Sequence, residues 1–210
     1  MAGADFFDIT VNGHGAHGAM PERSKDPVVI AMALGQALQT IVSRNVSPTE
    51  AAVLSITQIH AGSAYNVIPG EAKLAGTVRA FSDEVRALIR ERMRAICAGI
   101  VSAFQVEIDV DIRDIFSVLV NQEEHSKVVA EVARTVVDPA KVITRSQPKM
   151  GSEDFADMLH AVPGAYFWLG HDGSVPVHNP GFTLDDKILP IGASMFARII
   201  EKRMPAGAHA

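Results

Sequence analysis

The sequence predicts an α/β protein whose first part, residues 5–115, is a ferredoxin-like α+β unit, and whose remainder, 116–204, is an incomplete α/β half-domain. Three observations carry this. Four segments of the first part alternate apolar and polar residues with the period of a half-buried strand. Two segments with helical spacing fall between strands one and two and between strands three and four, the β-α-β-β-α-β order of a four-stranded sheet with two helices on one face. The second part has helical patterns around one short apolar run, which needs strand neighbours on both edges to satisfy its backbone.

In order, Phe7, Ile9 and Val11 alternate with Asp8, Thr10 and Asn12 as the first strand. Asp26 is an N-cap and Pro27 suits the first helical position of a helix reaching Arg44, with Ile30, Leu34, Leu38 and Ile41 on one face. Ala52 to His60 is the second strand, and Pro69-Gly70 turns into a third. There Lys73, Thr77 and Arg79 point one way and Leu74, Gly76 and Val78 the other. Ser82 caps the second helix, with Val85, Ile89, Ile96 and Ile100 inward and Arg86, Arg90 and Arg94 expected outside. Val106 to Ile112 is the fourth strand. Beyond it, Asn121 with Glu124 resembles a capping box opening a helix to about Val137. Val142 to Thr144 is a short strand candidate, and Ser152 is expected to cap a helix from Glu153 to His160. Ala165 to Leu169 is expected to be a strand buried on both faces. Pro190 opens a last helix with Ile191, Met195 and Ile199 inward.

Composition bounds the function. At 48% hydrophobic and 20% charged, 210 residues can bury a core. A formal charge of −5 without a basic cluster argues against a nucleic-acid partner. No apolar run is long enough for a membrane helix, and the first residues lack the pattern of a signal peptide. A single cysteine, Cys97, forms no internal disulfide and fits a reducing cytoplasm; its place in a helical pattern suits a buried structural thiol.

Four places suit chemistry. Gly13 to Pro21 is a loop with three glycines that let its backbone approach a ligand, and it holds His14 and His17. The same residues also suit a solvated polar turn. Asn66 can donate to a carbonyl or serve a turn, and Arg79 can clamp a carboxylate or be an exposed strand residue. Gly151-Ser152 would offer N–H groups at a helix N-terminus, while Glu153-Asp154 is ordinary helix-start chemistry. His178, between Pro176 and Pro180, suits a metal ligand or a surface histidine.

Six ordered motifs add a resemblance: Ala16-His17-Gly18-Ala19-Met20-Pro21 (Ala16 where glycine is usual), Asn66-Val67-Ile68-Pro69, Gly76-Thr77-Val78-Arg79, Met150 to Phe155, Pro163 to Phe167, and His178-Asn179-Pro180. Together, from about Asp5 to Met204, they resemble the two-metal amidohydrolases: hippurate hydrolases, aminoacylases and auxin-conjugate hydrolases. The resemblance implies a lid or dimerisation domain at 5–115 and the C-terminal portion of a metal-dependent catalytic domain at 116–204. It implies hydrolysis of the amide bond of N-acyl amino acids or small peptides with two divalent ions, zinc or manganese, in the parent enzyme. By the same resemblance His17 is catalytic, stabilising the oxyanion in a partner subunit's site; Asn66, Arg79, Gly151 and Ser152 bind substrate; and His178 is a metal ligand. The expected partners are the small substrate and a second copy joined through the lid. The family's first catalytic half, with the other metal ligands and the general base, finds no match here. The chain is therefore expected to be a fragment, inactive alone, that retains no metal pair, and Met1 is expected to be an internal methionine. The alternative is a non-enzymatic dimerising module or remnant.

Overall fold

The computed structural model describes residues 1–173 and 175–204. Two compact units result: Met1–Leu119 with Pro148–Asp157, and Val120–Gln147 with the described residues from Met158.

The first unit is built on a four-stranded antiparallel sheet. Its strands are β1 (Gly3–Asn12), β3 (Ala52–Ala61), β5 (Glu71–Ala80) and β6 (Glu107–Phe116), in the order β3-β5-β1-β6. Two-residue strands β2 (Ala16–His17) and β4 (Val67–Ile68) pair separately. Helices α1 (Pro27–Arg44) and α2 (Asp83–Phe104) cover one face. This is the ferredoxin-like arrangement expected from the alternation. The caps are those read from the sequence. Asp26 Oδ1 accepts from the Val28 and Val29 amides at 2.8 and 3.4 Å, and Ser82 Oγ accepts from Val85 at 3.2 Å.

The core lies between sheet and helices. Phe7, Ile9 and Val11 of β1, Leu74 and Val78 of β5, Ile30, Leu34, Leu38 and Ile41 of α1, and Ile89, Met93 and Cys97 of α2 are buried together. Gly76 stands opposite Phe7, and a Cβ there would lie 2.5 Å from the Phe7 ring and 2.0 Å from the Ser55 carbonyl oxygen. Only glycine lets that large ring lie across β5.

One expectation about this unit is overturned. Of the three arginines expected outside, Arg94 is exposed, Arg90 is half-buried, and Arg86 does not face solvent at all; it is 1% exposed. Its Nη2 donates to Asp5 Oδ1 at 2.7 Å and to the Ala4 carbonyl at 3.2 Å, its Nη1 donates to Asp83 at 2.9 Å, and it also pairs with Asp114. Asp5 is fully buried, and Arg90 adds a second cation to it at 2.9 Å. The physical reason is parity. Asp5 shares the inward face of β1 with Phe7, Ile9 and Val11, and a buried carboxylate requires a cation. Arg86 lies three residues before Ile89 and seven before Met93, so it is on the inward stripe of α2.

The second unit is helical among its described residues: α3 (Glu123–Val136) and α5 (Leu189–Arg203), with part of a short α4 (Phe155–Ala161). Met195 is inward on α5, as expected. Asn121 is not the N-cap of α3. Gln122 takes that position, and the Asn121 amide bonds the backbone of Tyr166 in both directions, at 2.7 and 2.8 Å. Val142–Thr144 and Ala165–Leu169 form no strand, and Trp168 is 52% exposed. An apolar run becomes a strand only where another strand supplies the ladder, and none of this unit's described residues does. The second unit therefore leaves many large apolar side chains in contact with water, Phe196, Ile200, Val162 and Val177 among them.

Candidate active site

The histidine loop is a built structure, not a loose turn. Gly13 donates to the Gly70 carbonyl at 2.9 Å, and His14 and Lys25 exchange backbone bonds at 2.9 and 3.0 Å. A Cβ on Gly13 would sit 2.2 Å from the Lys25 carbonyl oxygen, so the glycine is what permits this closure. The loop then pairs with β4, Ala16 opposite Ile68 and His17 opposite Val67. Gly18 donates to the Asn66 carbonyl at 2.8 Å, and Met20 donates back to the His17 carbonyl at 2.8 Å. His17 and Asn66 are thus brought side by side, both exposed. The His17 Nδ1 accepts from the Ala19 amide at 3.1 Å.

Arg79 lies elsewhere. It is on the sheet face opposite the helices, paired in register with Ala4 near the end of β5, with its guanidinium 5.6 Å above the Phe6 ring. Its Nη1 is buried without a hydrogen-bond partner. Burial lowers the pKa of Arg79, with Asp5 opposing that shift and Arg86 adding to it. Gly151 and Ser152 lie near the same end of the sheet. The Ala2 amide, two residues from Ala4, donates to the carbonyls of Lys149 and Gly151 at 3.1 and 3.2 Å, and the Ser152 Oγ is also buried without a partner. Ser152 caps no helix, because α4 begins only at Phe155 and runs seven residues. No helix N-terminus is therefore formed at Gly151-Ser152.

The first unit thus holds two separate groups of candidate site residues. His17 and Asn66 belong to the end where β5 begins, and Arg79, Gly151 and Ser152 to the end where it finishes. Eight residues of strand separate Glu71 from Arg79, about 26 Å at 3.3 Å per residue. One copy of the sheet does not bring them together.

His178 belongs to the second unit. It is exposed, and its φ of +67° is unusual for a non-glycine residue. The turn that imposes it is held by Asn179 and Phe182, with Asn179 Oδ1 accepting from Gly181 at 2.8 Å and the Phe182 amide donating to the Asn179 carbonyl at 2.9 Å.

Residues 5–202 match the model of the peptidase family M20/M25/M40. The chain belongs to that family. It is 37% identical to the hippurate hydrolase of Campylobacter jejuni over 96% of its own length and 53% of the relative's. It is 38% identical to the N-acetyl-L-cysteine deacetylase of Bacillus subtilis over 97% of its own length and 48% of the relative's. Among solved structures it resembles a dinuclear metal-binding M20 peptidase of Bacillus subtilis, with a TM-score of 0.72 and 29% identity, covering 95% of this chain and 49% of that one. This M20 chain spans about half the length of the relatives it matches.

A dinuclear centre requires several histidine or carboxylate donors converging on each ion. Among the described residues no group of three or more histidine, cysteine, aspartate or glutamate side chains is placed to hold a metal ion. The described donors do not by themselves assemble a dinuclear site such as that of the Bacillus subtilis peptidase. No described helix of this M20 chain is long and apolar enough to cross a membrane.

Sequence reasoning missed the Asp5–Arg86 pair and Phe6 beneath Arg79. Both were signalled by strand parity: odd positions of β1 face the helices and even positions face Arg79.

Proposed function

We propose that this chain serves the hydrolysis of the amide bond of an N-acyl amino acid or small peptide. It would contribute the substrate-holding and oxyanion-stabilising groups of the site and one metal ligand. The observation that carries the reading is the pair of buried, unpartnered polar atoms, Arg79 Nη1 and Ser152 Oγ, near one end of the sheet. Buried donors are almost always satisfied, so two orphans near one end of the sheet support a ligand there; Arg92 Nε on α2 and His125 Nδ1 on α3 are buried without partners as well. A guanidinium nitrogen and a hydroxyl suit the substrate carboxylate. Asn66 suits the scissile carbonyl, and His17 the oxyanion that develops from it. His178 is the ligand to a divalent ion, zinc or manganese. Because His17 and Asn66 lie at the far end of the sheet from Arg79, the complete site draws its residues from two copies joined through residues 5–115. Residues 116–204 correspond to the C-terminal portion of the catalytic domain.

The chain by itself retains no metal pair and turns over no substrate. Calorimetric titration with zinc and manganese tests this: binding no tighter than micromolar is expected, and no release of amino acid from an N-acyl amino acid. Two ions per chain together with measurable amidase activity would overturn it.

A second reading, a non-enzymatic dimerising module, shares the pairing of two copies with the first, and one observation supports that pairing. β3 is an edge strand with its outer ladder open, and apolar Val29 and Met32 on α1 and Ile59 on β3 are each about half exposed. Two copies paired about a two-fold axis would cover such an edge. In light scattering the wild type is expected to be a dimer, and Met32→Glu with Ile59→Asp a monomer. Dimers of the doubly substituted chain would remove the β3 edge from consideration.

A further inference from the structure

The turn His17-Gly18-Ala19-Met20 does more than expose an imidazole. Three backbone amides converge on it: Gly18 donates to the Asn66 carbonyl, Met20 to the His17 carbonyl, and Ala19 to the His17 ring itself, at 3.1 Å on Nδ1. An amide can only donate, so Nδ1 must present a bare lone pair. A neutral imidazole has one ring proton, which is then on Nε2. With Nδ1 occupied and Nε2 protonated, the ring has no lone pair left for a metal ion or for a proton in transit. It can do one thing at its outer edge, which is to donate a hydrogen bond to an oxygen.

We propose that the Ala19 amide is a positioning group that fixes His17 as the Nε2–H tautomer, making it a dedicated neutral donor to a carbonyl or oxyanion oxygen rather than a general base or a metal ligand. The catalytic meaning of this rests on the function proposed above; the tautomer itself does not. Gly18 is part of the device. A Cβ there would lie 3.3 Å from the Asn66 carbonyl carbon and oxygen, so a side chain would press on the bond that holds the turn against β4. The preorganisation is useful because a donor already fixed in place needs no reorientation when charge develops on the acceptor.

The whole chain, labelled with ¹⁵N, tests this by NMR without substrate, at a pH where histidine is neutral. Long-range ¹H–¹⁵N spectra should show His17 with a bare Nδ1 and a protonated Nε2, its signals assigned by their loss in His17→Asn. Because free imidazole already leans toward Nε2–H, the deciding readout is the Ala19 amide. Its exchange with water should rise roughly tenfold in His17→Ala, the size of one net neutral hydrogen bond. In His17→Asn it should stay slow, since Oδ1 then stands where Nδ1 was. The Gly18 and Met20 amides, unchanged throughout, would show that the turn is intact. A proton on Nδ1, or Ala19 exchange indifferent to His17→Ala, would overturn the proposal. If the tautomer holds but His17→Ala leaves kcat unaltered in a reconstituted enzyme, only the oxyanion role fails.

Discussion

Two parts of this chain treat their apolar residues in opposite ways. In the first unit, strands β1 and β5 bury Phe7, Ile9, Val11, Leu74 and Val78 beneath two capped helices, and every inner strand has a partner on each side. In the second unit, Ala165 to Leu169 is as apolar as any of those strands, yet it is coil with Trp168 half exposed. Hydrophobicity is common to both. The difference is the ladder: β1 has β5 and β6 beside it, whereas the 165–169 run is met by the side chain of Asn121 at Tyr166. Burying a strand in a protein interior requires its amides to be satisfied as well as its side chains. A ferredoxin-like unit supplies both from within itself, and an α/β half does not.

The largest expected effect follows from that contrast. Native-state hydrogen exchange should give β1 and β5 amides protection near the global stability, of order 5–15 kcal/mol, and leave residues 163–171 near zero. Uniform protection across both regions would erase the distinction between them.

A smaller effect separates the ion pairs. Arg86→Met strips Asp5 of its principal cation inside the first unit, and removing one partner of a buried pair costs about 3–5 kcal/mol. The urea midpoint should fall accordingly, and the double change Asp5→Leu with Arg86→Met should cost less than the single one, because no fully buried carboxylate is then left short of its cation. In the second unit, Lys202→Ala breaks the exposed pair with Glu131 and should leave the midpoint unmoved. Equal responses in the two units would mean that burial does not decide the strength of these pairs.

How far the sequence could be read divides along the same line. The strands, helices and caps of the first unit are all local signals: alternation about Phe7, spacing about Leu34, Asp26 before Pro27. The motif order offered His17, Asn66, Arg79, Ser152 and His178 as candidates only. What stayed hidden was relational. The burial of Arg86 depends on Asp5, eighty-one positions away, and the distance between His17 and Arg79 depends on strand direction, which no single segment encodes. The 165–169 run was misread for the same reason, since its periodicity says nothing about who its neighbours are.

The smallest effect concerns Cys97, which the first unit buries among Ile89 and Met93. Burial pushes its thiol up from an ordinary 9.0 to about 11, because a thiolate there loses its hydration. The protonated thiol is therefore favoured by folding. Its contribution is fully present below pH 9, where both folded and unfolded chains hold the proton. It fades as pH rises toward 11, because the unfolded chain releases a proton that the folded chain keeps. Urea titrations of the wild type should show stability falling through this window, and Cys97→Ala should flatten that part of the fall while lowering stability at neutral pH by a small cavity cost. Below pH 9 a thiol reagent should modify Cys97 only at the rate of unfolding, in contrast to the free reactivity of a surface cysteine. Rapid modification of the folded protein, or an alkaline slope identical in Cys97→Ala, would place this helix face in contact with water and weaken the case that the first unit alone is closed.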